Sequence, residues 1–315
     1  MSVASVHVAG LPPRRLAWEA LHTWLCDGAT VQETLQAKAL QLPERDRALA
    51  WELALGTCRH YRHLQYAVRH FSHRAPAQPV EIALCLGLYQ LQKMQKIPPH
   101  AAVHVTVALV RVQSGEAAGR FANAILQRSL REGVPPPPKN DLAKIAIGYS
   151  MPDWLVRKWM RDQGDDLEAV RLRCEQARAI PSQWVRIRPA RISMEKFLRT
   201  FDLLEARIWE DCWVEVGHHL GRLLQSPEFR SGDFSVQNPA AELLVRLLDA
   251  QPGQSVWDAC AAPGGKTALI LERQPQVQLL ASDVDSKRLA RMQDLRKRLG
   301  YIGLHIEVRD ATASG

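Results

Sequence analysis

The most constraining stretch of this 315-residue chain is the run from Gln254 to Arg273. Gln254-Ser255-Val256-Trp257 reads as a short strand. Asp258-Ala259-Cys260-Ala261-Ala262-Pro263-Gly264-Gly265-Lys266-Thr267 interrupts it with a Pro-Gly-Gly turn, and Ala268–Arg273 reads as an apolar helix. Strand, glycine turn and helix start together form a seat for a nucleotide-like ligand. Glycine lets the backbone approach a ligand closely, and the first turn of a helix presents amides that lack an intrahelical acceptor. A triphosphate loop would need a glycine five residues before Gly265-Lys266-Thr267. Position 260 is Cys260, so the phosphate-wrapping geometry is not encoded.

The next segment extends the same architecture. Val277–Asp283 is a second strand ending in an acid, about 20 residues past the turn, where doubly wound folds hold ribose hydroxyls. Asp283 suits that role, with Asp285 as the alternative. A basic helix is expected over Ser286–Leu299, closed by Gly300, and a third strand over Leu304–Val308, with Asp310 just beyond. Alternating strands and helices make half of an open parallel sheet. Ligands bind outside the carboxyl ends of such strands, where Cys260, Asp283 and Asp310 all fall.

The front of the chain has a different character. Residues 14–133 read as helices, with Ile82–Leu91 apolar enough to be buried. In Tyr61–Phe71, the residues Tyr61, Leu64, Val68 and Phe71 form a core stripe. That stripe leaves Arg59, Arg62, His63, Arg69, His70 and His73 mainly on other faces, as a solvated or RNA-facing surface. Paired C-x-x-C spacing is absent, so no metal site is assigned, and Cys58 is read as packing. Gly133–Asn140 carries four consecutive prolines, which cannot continue a helix and favour an extended spacer. Beyond it, Pro152-Asp153 marks a helix start. Gln183–Arg188 reads as a strand which, with Trp209–Val216, suggests a small α/β module; Arg186 on it is a further candidate for RNA contact. The expected divisions are therefore 1–134 (all-helical), 135–140 (linker), 141–232 (small α/β module) and 233–315 (the parallel sheet).

Charge is unevenly placed. Residues 1–134 hold 15 Lys+Arg against 9 Asp+Glu, whereas residues 231–315 hold 10 of each. The basic excess thus sits in the helical front, where a polyanion would be gripped. No run approaches the roughly 18 apolar residues that would span a membrane, and no secretory signal is visible at Met1–His7. Six cysteines, at 26, 58, 85, 174, 212 and 260, show no disulfide framework, so reduced thiols and a cytoplasmic location are expected.

The string Asp258–Thr267 resembles the cofactor motif of the RsmB/NOP-type RNA cytosine-carbon-5 methyltransferases, and Phe234–Pro239 is similar to the Val-Gln-Asp segment that precedes it there. Gly56-Thr57-Cys58-Arg59, Tyr89-Gln90-Leu91, Pro99–Val103 and Phe121–Leu126 resemble the all-helical RNA-binding domain of the antitermination factor NusB. The resemblance implies a multidomain α plus α/β chain: a NusB-like helical domain, a small α/β module, and the first half of a Rossmann-like methyltransferase sheet. It further implies S-adenosylmethionine as cofactor, held by Cys260, Ala261, Ala262, Pro263, Gly264, Gly265, Lys266, Asp283 and Asp310. Small-subunit ribosomal RNA is the implied partner. Three positions depart from the family pattern: Asn238 replaces a usual Asp, Arg188 a frequent Asn, and Gln127 a common arginine.

In that family a cysteine thiolate adds to cytosine carbon 6 so that carbon 5 can take the methyl. The family's cysteines lie on later strands, beyond Gly315. No catalytic residue is assigned, and the chain is expected to be a fragment or truncated product that cannot turn over, its half-sheet exposing edge and core surface. Two alternatives stay open: a non-catalytic RNA-binding protein keeping a remnant sheet, and a methyltransferase with a different target atom.

Overall fold

A computed structural model describes residues 8–72, 74–301 and 303–313; the segment at Met1–His7 and His73 lie outside them. The chain divides into two compact units, Met1–Ala179 and Ile180–Gly315.

The first unit is helical. Its elements are α1 (Leu11–Asp27), α2 (Val31–Lys38), α3 (Glu44–Arg59), α4 (Tyr61–Phe71), α5 (Gln78–Lys93), α6 (Pro99–Glu132), α7 (Asp141–Gly148), α8 (Asp153–Asp162) and α9 (Leu167–Arg178). Start signals are local: Thr30 and Glu33 form a reciprocal capping box on α2, Asn140 caps α7, and Asp166 caps α9. The stripe Tyr61, Leu64, Val68 and Phe71 is buried as its spacing dictates, against α5, which is buried on nearly every side from Val80 to Gln90. Each such aliphatic or aromatic side chain stabilises by about 1.5–3 kcal/mol. Gly56 lets α3 and α5 meet: a Cβ there would stand 2.0 Å from the Tyr89 hydroxyl oxygen, and that hydroxyl donates to Glu52 Oε1 at 2.6 Å. α6 is interrupted at Gly115, whose φ of 86° and ψ of 174° break the helical path.

The proline segment does not separate the two units. Helices α7–α9 share a small core of Ile145, Ala146, Val156, Val170 and Cys174 within the first unit. Tyr66 Oη donates to the Pro136 carbonyl at 2.8 Å, bridging α4 to the linker. The span 141–232, expected as one module, is thus divided: its helices belong to the first unit and its strands to the second.

The second unit holds two sheets. β1 (Trp184–Ile187), β2 (Ile208–Trp209), β3 (Trp213–Glu215) and β4 (Phe234–Val236) form an antiparallel sheet in the order β2-β3-β1-β4. Its inner face, with Val185, Ile187, Val214 and Phe234, packs on Phe197, Leu198 and Phe201 of α10 (Met194–Phe201). Short helices α11 (Leu220–Leu223) and α12 (Pro227–Arg230) precede β4, and α13 (Ala240–Leu248) follows it. Next come β5 (Ser255–Asp258), α14 (Gly265–Arg273), β6 (Gln278–Asp283), α15 (Ser286–Leu299) and β7 (His305–Val308). The strands β5-β6-β7 are parallel and in chain order, with Asp258 opposite Ala281 and Asp283 opposite Val308. These are the three parallel strands the sequence implies. Asp285 caps α15 and Gly300 ends it at φ 82°. Trp257 on the edge strand and Leu243, Leu244, Leu247 and Leu248 on α13 are exposed.

Candidate functional site

Parallel pairing brings the ends of β5 and β6 level, and the turn after β5 folds over the end of β6. Ala261 N donates to the Ser282 carbonyl at 2.8 Å, and Ala262 N to Asp283 Oδ2 at 3.2 Å. Asp283 Oδ1 accepts from Asp285 N at 3.1 Å, and Arg288 lies 3.7 Å from Oδ2 while donating to the Ala262 carbonyl at 2.8 Å. Asp283 is 3% exposed. Its carboxylate therefore fixes the shape of the turn, and with about four lone-pair sites it retains acceptor capacity beyond these partners. Asp285 is committed as the cap of α15, accepting from Lys287 N and Arg288 N at 2.8 and 3.1 Å.

Gly264 bends the chain into α14 at φ 102°, in the left-handed region that favours glycine. A Cβ there would sit 2.7 Å from Leu295 Cδ2 and 3.0 Å from Met292 Cγ. Cys260, Pro263 and Lys266 are exposed on the turn, while Ala261 and Ala262 are buried beneath it. Thr267 Oγ1 donates to Asp258 Oδ2 at 2.7 Å, fastening the helix start to the strand end. Asp310, exposed past β7, accepts from the Thr312 amide at 2.8 Å and hydroxyl at 2.7 Å, and these two bonds lower its pKa. Thus Cys260–Lys266 and Asp283 come together in one hydrogen-bonded turn, while Asp310 stands at the end of the neighbouring strand.

The sequence reading missed Gln237. Its Nε2 donates to the Gly265 carbonyl at 2.9 Å, so the segment before α13 reaches the first residue of α14. A lone glutamine carries no motif signal, and only its place in the Val-Gln-Asp-like segment pointed there. Asn238 still caps, its Oδ1 accepting from Ala240 N at 2.8 Å.

The arginines proposed for RNA fare unequally. Arg186 is corrected: it is 3% exposed, paired with Glu272 and bonded to Gln237, because the apolar layer around α14 covers that face of β1. Arg62 is tied within its own unit, donating to the Met151 carbonyl and to Asp153 Oδ1 at 2.8 Å. Arg69 is exposed but pairs with Glu81 at 2.9 Å. Arg59 is half-buried at the end of α3. Arg188 donates to the Gly232 and Leu299 carbonyls and pairs with Glu272, which makes it a structural tie. Among the described residues, no helix is long and apolar enough to cross a membrane.

Residues 11–131 match the NusB family, and residues 245–314 match the family described as 16S rRNA methyltransferase RsmB/F. The chain is 32% identical over 312 residues to a ribosomal RNA small subunit methyltransferase B of Xanthomonas campestris pv. campestris, covering 95% of this chain and 67% of that relative. It is 29% identical over 291 residues to a probable ribosomal RNA small subunit methyltransferase B of Bacillus subtilis, covering 88% and 63%. The chain thus spans about two thirds of the length of these relatives. The crystal structure of PH0851 aligns with a TM-score of 0.70 at 18% identity, covering 95% of this chain and 70% of that one, a likeness of fold.

Proposed function

The chain belongs to the ribosomal RNA small subunit methyltransferase B family, and from that premise we propose that it takes part in S-adenosylmethionine-dependent methylation of cytosine carbon 5 in small-subunit ribosomal RNA. The observation that carries this reading is the turn Cys260–Lys266 closed on the Asp283 carboxylate at the ends of two parallel strands. The residues fit the cofactor. A glycine with no room for a side chain brings the backbone close, and the first amides of α14 are free of intrahelical acceptors and suit a carboxylate. The spare acceptor capacity of Asp283 suits ribose hydroxyls, and exposed Asp310 suits a base edge. Once bound, S-adenosylmethionine supplies an electrophilic methyl on a sulfonium. Asp283 holds the turn in shape, Gly264 keeps it narrow, and Thr267 with Asp258 locks the helix start behind it.

A nucleophilic cysteine must be a thiolate. Burial raises the pKa of Cys58, Cys85, Cys174 and Cys212, which keeps them protonated. Cys260 stands on the cofactor turn, and we assign it to that wall. Cys26 lies on α1 of the helical first unit and not on the parallel sheet, so no catalytic nucleophile is proposed among residues 1–315, and this polypeptide alone is expected to leave cytosine unmodified. Incorporation of a labelled methyl into cytosine by residues 1–315 would overturn that assignment.

Calorimetric binding of S-adenosylhomocysteine to the 315-residue chain tests the cofactor reading. Binding is expected for the unmodified chain and loss of at least about tenfold in affinity for Asp283→Asn, since charge-assisted hydrogen bonds contribute about 1.5–3 kcal/mol. Failure of the unmodified chain to bind, or an unaffected variant, sinks it.

A further inference from the structure

The junction of α3 and α4 gathers positive groups from four helices. His60 stands between them, its ring 6.0 Å from that of Tyr89 on α5. Gln92 and Lys93 follow Tyr89 by three and four residues, one turn along the same face. On α4, the His63 amide donates to Ser150 Oγ at 3.1 Å. Beside Ser150, the Tyr149 ring carries the Arg178 guanidinium 4.9 Å from its centroid, and Arg178 Nη1 donates to the Gly148 carbonyl at 3.1 Å. Arg59 ends α3 immediately before His60.

Negative charge at this junction is already committed. Glu52 accepts from the Tyr89 hydroxyl, and Asp153 pairs with Arg62. Gln92 Nε2 is buried with no hydrogen-bond partner among the described residues, a donor that lacks an acceptor. Burial, then the charges of Lys93, Arg178, His63 and Arg59, lower the pKa of His60 to about 4. Burial, Lys93 and Arg178 likewise lower that of His63, against a Gln92 bond that raises it. Burial first, and then the positive charges around them, disfavour the protonated form of both imidazoles.

We propose that Arg59, His60, His63, Lys93 and Arg178 form the seat for one phosphodiester of an RNA. This rests on the reading of the chain as an RNA-modifying protein and adds where on the helical front the RNA backbone is held. A phosphodiester is a permanent anion whose free oxygens accept from a guanidinium fork, an ammonium and an amide N–H. Its charge reverses the field at the imidazoles, so they take up protons as it enters and become donors to it. The basic excess of residues 1–134 supplies the longer-range attraction a polyanion needs.

The test is fluorescence anisotropy of a labelled single-stranded RNA oligonucleotide with the 315-residue chain. Lys93→Glu and Arg59→Glu are each expected to weaken binding by about tenfold, as for loss of charged contacts. The same reversal at Arg131, exposed at the end of α6, should change it by no more than about twofold. At fixed ionic strength, binding should tighten severalfold between about pH 7.5 and about pH 5.5, and His60→Gln should flatten that gain. Equal losses for Arg131→Glu, no loss for the cluster variants, or displacement of the RNA by an acidic oligopeptide as readily as by unlabelled RNA would each overturn the seat. If the unmodified chain binds no RNA, the RNA part of the proposed function falls with it. If it binds RNA and the cluster variants bind equally, only the seat falls.

Discussion

Arg186 Nε donates to Gln237 Oε1 at 3.0 Å, inside a layer where Arg186 is 3% exposed. Gln237 passes the link to the Gly265 carbonyl, while the same arginine pairs with Glu272 near the other end of α14. The helix that begins at the Cys260–Lys266 turn is therefore held at its start by Gln237, just past β4, and near its end by Arg186 of β1. Removing Arg186 leaves Glu272 with Arg188 as its ion-pair partner, at 3.1 Å. Arg186→Leu should cost about 3 kcal/mol, as for breaking a buried pair, measured by urea denaturation. The double variant with Glu272→Leu should lose less than the two single losses added, and strict additivity would show that the pair is not coupled.

Gln237→Ala separates the grip on the turn from that ion pair. The substitution removes the donor to Gly265 and the acceptor of Arg186 Nε, and leaves Arg186 on Glu272. Loss of the neutral bond to Gly265 costs about 0.5–1.5 kcal/mol, and loss of the bond from the charged guanidinium about 1.5–3 kcal/mol. S-adenosylhomocysteine affinity should fall by a few-fold with the far-UV circular dichroism unchanged. An unchanged affinity would remove Gln237 from any positioning role.

Gly264→Ala acts by sterics and backbone together. The new methyl would meet Leu295 at 2.7 Å, and φ 102° is strained for any L side chain, at about 1–3 kcal/mol. Binding of S-adenosylhomocysteine should be lost while the first unit, remote in sequence, keeps its unfolding transition. Wild-type binding by this variant would show that the turn relaxes freely.

The methyltransferase half was legible because its signals are local. Asp285 and Gly300 bracket α15, and the apolar strands β5, β6 and β7 lie within a residue or so of their expected limits. Tyr61, Leu64, Val68 and Phe71 were legible for the same reason, since one helical period specifies their face. What escaped depends on partners far along the chain. Alternation in Trp184–Ile187 gives Arg186 a solvated face, but Glu272, 86 residues away, shares its burial. Four prolines read as a domain boundary, yet Tyr66–Pro136 and Arg62–Asp153 hold the following helices in the first unit. Gly115 breaks α6 with no capping residue to announce it.

His60 makes the stability of the first unit depend on pH. Its folded pKa, about 4, lies below the ordinary 6.5. An imidazole lowered in this way binds fewer protons in the native state than in the unfolded one. Stability is therefore complete above about pH 6.5 and falls as the pH drops toward about 4, below which the slope from this group ends. The full shift would correspond to about 3 kcal/mol. Because the ring is only half-buried, solvent screening reduces the expected loss to about 1–2 kcal/mol. Urea denaturation at about pH 7 and about pH 4.5 measures the difference, and His60→Gln should shrink it by that amount. An identical pH dependence in the variant would mean that His60 is already free to protonate in the folded chain.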